Sequence, residues 1–242
     1  MGQPPQTIPT KPITIIGVFN TLSDAERAIA DLPSAGFRRE DISIVAHKQA
    51  VEQHHTSEVL EDAGIGAALG GVGGLLLSAA GLLTLPVVGP IVAAGPIAAA
   101  LAGAGIGAAT GGIVGALAEA GVPEAEAQQY AEGVRRGEVL VTVRTDAAHA
   151  EMARKIMDDN GAVEMGRRVW GWRNRGWTGY QPDAVPYTRE QFIEERHFAT
   201  ENRDTAREIP KAGEDDVSIA IEAMDRDRGI RPGASRIYEL KS

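Results

Sequence analysis

Residues 13–46 read ITIIGVFNTLSDAERAIADLPSAGFRREDISIVA, and this stretch decides the fold. Ile13 to Phe19 is apolar and rich in β-branched side chains, as a strand buried on both faces requires. Ser23 followed by Glu26 makes a capping box, Ala25, Ile29 and Leu32 recur at helical spacing, and Gly36 stands where a helix stops. Asp41 to Ala46 then supplies a second strand. The pattern returns further along. Glu138 to Val143 is a strand, Thr145 or Asp146 caps a helix with Met152 and Ile156 four apart, Gly161 closes it, and Ala162 to Met165 begins a short last strand.

Neither strand–helix–strand unit can bury its helix alone, so the two share one sheet. With right-handed crossovers they close into a ferredoxin-like split βαβ sandwich, an α+β fold of four antiparallel strands with two helices on one face. The expected organisation is a polar arm over 1–11, a head made of 12–47 and 122–169, an inserted segment over 48–121, and a tail over 170–242. The arm, MGQPPQTIPTKP in its context, has no apolar core of the kind a secretory signal carries.

The insertion is the unusual part. From Ala63 to Ala118 run 56 residues without a charged side chain, 15 of them Gly and 16 Ala. Ala63–Leu85 and Ile97–Ala118 are each long enough to cross roughly 30 Å of hydrocarbon as helices. Pro86, Pro90 and Pro96 break the run between them. The zone therefore reads as a helical hairpin placed between the second and third strands and projecting from the head. Gly66, Gly70 and Gly74 in the first arm, and Gly103, Gly107, Gly111 and Gly115 in the second, recur every four residues and line one helix face. Each Gly costs roughly 1 kcal/mol in a helix, so the grooves call for a packing partner.

The segment from Gly166 holds Trp170, Trp172 and Trp177 with Arg167, Arg168, Arg173 and Arg175, and no acid before Asp183. It reads as an interfacial or partner contact, against the plainer alternative of tryptophans packed over the sheet. The remainder is charged and reads as largely extended, with short helices at Thr188–Glu201 and Val217–Asp225.

Chemistry finds few footholds. Zero cysteines exclude disulfides, Cys-ligated zinc and thiol catalysis, and a net charge of -9 argues against nucleic acid as a partner. His47, His54 and His55 lie close in sequence, but adjacent histidines rarely converge on a metal without further ligands. Glu58, Glu61 and Asp62 read as a solvated helix start. No phosphate-binding loop or nucleophile elbow is present, and no cofactor is expected.

Three stretches together, GVFNTLSDAERAIADLPSAGFRREDISIVA, PVVGPIVAAGPIAAALAGAGIGAATGGIVGAL and GVPEAEAQQYAEGVRRGEVLVTVR, resemble the bacterial general stress (heat-induced stress) protein domain over roughly residues 13–168. The junction from Gly121 to Val143 is the most specific part. The resemblance implies a role in stress response and supplies no catalytic residues. The expectation is a non-enzymatic protein that assembles with its own copies through the glycine hairpin, cytoplasmic and held at the inner membrane, with lipid as a further partner and a protein partner for the tail. The alternative is a soluble oligomeric sensor of a ligand or partner, with the hairpin as its oligomer core.

Overall fold

The computed structural model describes residues 12–51, 81–85, 89–103, 112–181, 184, 185, 187–195, 197 and 235–239. The chain is α+β, built on a six-stranded antiparallel sheet in the order β3-β4-β2-β5-β1-β6. The strands are β1 (Ile13–Phe19), β2 (Ile42–His47), β3 (Gly81–Leu85), β4 (Gly89–Ala94), β5 (Val139–Thr145) and β6 (Arg236–Glu239). The helices are α1 (Leu22–Ser34), α2 (Pro96–Gly103), α3 (Gly112–Glu119), α4 (Glu124–Arg135), α5 (Ala150–Asp159) and α6 (Met165–Asn174).

Side chains alternate across a strand, so the sheet sorts its residues between two cores. On the first face Ile13, Ile15 and Phe19 of β1, Ile42 and Ile44 of β2, and Val139, Val141 and Val143 of β5 meet α1 and α5. Both predicted crossover helices therefore lie together there. On the second face Ile16, Val18, Val45, Ile91 and Leu140 meet α2, α3, α4 and α6. Each fully buried side chain of this size contributes roughly 1.5–3 kcal/mol of hydrophobic stabilisation.

Several readings of the sequence are corrected. Thr21, not Ser23, caps α1, its side chain accepting from the Asp24 N–H at 3.1 Å. Ala162–Met165 does not form the last strand: Val163 donates one backbone bond to Val18 O at 2.7 Å, and helix α6 then begins at Met165. Glu164 favours that turn by capping α6, accepting from the N–H groups of Gly166 and Arg167. The free length of the β1 edge is filled by β6, from the far end of the tail, pairing Ile13↔Glu239 through Ile16↔Arg236. In the described parts of the tail, residues 189–195 are helical, inside the helix expected over 188–201, whereas the strand over 236–239 departs from the expected extended tail.

Further corrections concern the Gly/Ala zone. Its first arm does not end as a helix, because Gly81–Leu85 is β3, which pairs with β4, which in turn pairs with β2 from Ile44↔Ala94 to His47↔Ile91. Prolines cannot continue a helix, whereas the apolar runs on either side of Pro86 satisfy their backbone groups as strands, β4 on the open β2 edge and β3 on β4. Pro90 falls one residue outside the β2 ladder, so its missing N–H removes no bond to β2, while it stands opposite Thr84 in the β3 ladder. The second arm is not one straight helix either. Gly112 has φ of 72°, a left-handed conformation that separates α3 from any helix before it.

The described parts of this zone pack onto the head rather than project from it. Ile97, Leu101, Ile113, Val114 and Leu117 are buried in the second-face core. At Gly95, φ is 86° and a Cβ would stand 2.2 Å from the Ile42 carbonyl oxygen, so only glycine lets the chain leave β4 this close to β2. Ser43 Oγ then accepts from Ile97 N at 3.1 Å and starts α2. Among the described residues no helix is long and apolar enough to cross a membrane. Gly66, Gly70, Gly74, Gly107 and Gly111 lie outside the described residues; Gly103 ends α2 and Gly115 lies within α3.

Candidate functional site

Helix α4 organises the polar side of the second face. Pro123 stands at its N-cap position without a side-chain capping bond, Glu124 and Glu126 occupy its first turn where the helix dipole favours acids, and Ala127, Tyr130, Ala131 and Val134 face the core. Its last turn carries Glu132, Arg135 and, at the cap, Arg136, spaced so that both arginines reach one carboxylate. Arg136 Nε donates to Glu132 Oε1 at 2.6 Å and Arg135 Nη1 does so at 3.1 Å. Glu132 is almost wholly buried, and two cations are what make a carboxylate tolerable there.

The same arginines grip the tail. Arg136 Nη1 pairs with Glu195 at 3.0 Å, and Arg175, just past α6, pairs with the same carboxylate. Arg135 Nη2 donates to the Val185 carbonyl at 3.1 Å, and its guanidinium lies 4.0 Å from the centroid of the Tyr187 ring, a cation–π distance. Phe192 is fully buried, its ring centroid 4.8 Å from that of His47 on β2. Residues 184–195 are therefore held on the head by ion pairs, a stacked ring and a buried anchor.

A second seat lies at the β1 edge. Tyr238 of β6 donates to Glu126 Oε2 at 2.6 Å, and with that proton committed Tyr130 donates to the Tyr238 oxygen at 2.7 Å. Burial pushes both phenols well above their ordinary range near 10, most directly for Tyr130. Ser235 N donates to Asp158 Oδ1 at 2.8 Å, and Arg236 pairs with Glu164 at 3.5 Å.

The tryptophans and arginines singled out in the sequence divide three ways. Trp172 is buried, packs edge-on against half-buried Trp177 at 5.6 Å between centroids, and lies 4.9 Å from the Arg136 guanidinium. Arg168 pairs with buried Glu138 at 2.9 Å and also donates to Asn20, so Arg168 and Arg175 serve internal contacts. Trp170, at 44% exposure, stands with Arg167 and Arg173 on the outer side of α6. A helix separates these three from the buried set because α6 turns Met165, Val169 and Trp172 inward at intervals of three and four.

Elsewhere, an open groove of about 460 Å³ at the end of β5 is lined by Phe37, Arg38, Asp41, Arg144, Asp146 and His149. Asp146 Oδ1 lies 2.7 Å from His149 Nδ1, and that hydrogen bond holds the Asp146 carboxyl below its usual range. Asp41 engages both Arg38 and Arg144, so the groove's charges largely answer one another. Among the described residues no cluster of three or more acidic, His or Cys side chains could hold a metal ion. His47 Nδ1 accepts from Gln49 N at 3.2 Å, while His54, His55, Glu58, Glu61 and Asp62 lie outside the described residues.

Reading the sequence alone missed Glu132, Arg135, Arg136, Glu195 and Tyr238 as partners. Their signals were weak: an Arg-Arg pair at a helix end, and a short alternation Arg-Ile-Tyr-Glu inside a charged tail. No family model matches the chain, and no curated protein and no solved structure matches it.

Proposed function

We propose that this chain is a non-enzymatic, self-assembling protein of the bacterial stress-response type, in which the head carries uncharged Gly/Ala segments as its contact between copies. One observation carries the reading. Outside β3, β4, α2 and α3, the sequence of residues 63–80 and 104–111 is uncharged and holds Gly66, Gly70, Gly74, Gly107 and Gly111. Close backbone approach is what such spacing offers a partner.

Length favours contact between copies over a membrane-crossing hairpin. A helical crossing takes about 20 residues, whereas the eight residues of 104–111 would span only about 12 Å as a helix. The seats on the second face are filled by the chain's own tail, which supports a structural role over catalysis. The stress-response part of the reading rests on the resemblance carried by residues 121–143. The order β2-β5-β1-β6 supports a ferredoxin-like arrangement in which the tail supplies the fourth strand.

Cell fractionation of the untagged protein with a carbonate wash tests the placement. Recovery in the wash as a discrete oligomer is the expected result. Retention in the pellet until detergent is added would move the Gly/Ala segments into lipid and overturn this choice.

A further inference from the structure

The β1 edge is a strand-reading seat whose recognition elements all belong to the head. Antiparallel pairing fixes four residues of β6, and side chains of three helices read them: Glu126 and Tyr130 of α4 take Tyr238, Asp158 of α5 takes the Ser235 N–H, and Glu164 at the α6 cap takes Arg236. None of these contacts depends on the chain that delivers the strand. The delivering connection is long: residues 196–234 separate β6 from the docked Glu195, and 39 residues can reach at most about 140 Å.

We propose that in the assembled protein this seat takes residues 235–239 of a second copy, so that neighbouring molecules exchange edge strands. The proposal rests on the self-assembly reading above. An isolated molecule presents its own strand at an effective concentration on the order of millimolar, which no dilute neighbour matches. Copies already held together by their Gly/Ala segments present theirs at comparable concentration, and the seat makes the same contacts with either. Strand exchange of this kind converts a weak contact between copies into a mechanically linked one.

The absence of native cysteine makes the test direct. Pro12, next to the Ile13↔Glu239 pair, and Glu239 are both exposed. Full-length Pro12→Cys and Glu239→Cys variants carrying different tags are mixed, unfolded in urea, refolded together at high concentration and treated with a short bis-maleimide. Light scattering on the same sample reads assembly separately. The proposal predicts assembly together with a cross-linked species bearing both tags, reduced about tenfold or more when Tyr238→Ala is added to the Glu239→Cys chain. Adding Tyr238→Phe instead, which keeps the ring, gives an intermediate yield. Assembly without the two-tag species, while a Pro12→Cys/Glu239→Cys double variant cross-links within itself, would overturn exchange and leave self-assembly standing. A monomer by light scattering would overturn both.

Discussion

The two faces of the sheet are built by different means. The first is closed by α1 and α5, each adjacent in sequence to the strands it covers, and apart from Asp24, buried near the start of α1 and paired with Arg27, its core is almost wholly aliphatic and aromatic. The second is closed by α2, α3, α4 and α6 together with two pieces of the tail, and it holds the buried Glu132, Arg136 and Glu138. Apolar packing is forgiving of partner identity, whereas buried charges are tolerated only with their own counterparts in place. The first face thus makes the domain stable, and the second specifies where the Gly/Ala zone and the tail must go.

The largest effect is expected on the first face. Phe19→Ala removes a fully buried ring between β1 and α1, and denaturant unfolding should show a loss of about 3–5 kcal/mol. On the second face Glu132→Ala leaves Arg135 and Arg136 without their shared carboxylate and should cost about 3 kcal/mol, although it deletes little apolar area. A loss under about 1 kcal/mol would mean that packing alone holds both faces, erasing the contrast.

Glu195→Ala should be milder, about 1–3 kcal/mol, and should show chiefly as faster proteolysis within residues 184–195. Tyr238→Phe should cost about 1–2 kcal/mol by stranding the Tyr130 hydroxyl and Glu126. Alkaline pH sharpens the contrast further. Because burial raises both phenols in the folded state, their contribution is fully present below the ordinary phenol range near 10 and falls as pH rises above it. Unfolding titrations should therefore lose stability above about pH 10, and Tyr238→Phe should flatten that loss. The smallest effect lies away from both cores: His149→Ala should raise the Asp146 titration seen by NMR with little change in stability.

The first face was legible because its signals are local. Alternating β-branched residues, Ala25–Ile29–Leu32 at helical spacing and the glycine stops all act within about ten residues, so the first crossover unit, and the strand and helix that open the second, could be read directly. The second face depends on distant pairings. Whether Leu82–Leu85 continues a helix or adds a strand is decided by the edge that β4 offers once it has paired with β2, and no property of GLLTL itself reveals that edge. The last strand was misplaced for a similar reason: Ala162–Met165 does reach β1 at Val18, but Glu164 caps a helix there and leaves the rest of the edge to a segment over seventy residues away. For Trp172 the sequence left surface contact and packing over the sheet both open, because aromatic–arginine composition fits an interface as well as a buried cation–π contact; only the α6 register separates it from Trp170.

Light scattering of full-length wild type beside Gly70→Leu, Gly107→Leu and Ala79→Leu tests the central claim most directly. Self-assembly through the glycine faces predicts an oligomeric mass for wild type and Ala79→Leu, and a fall toward the monomer mass for each glycine variant. One mass common to all four chains would contradict it.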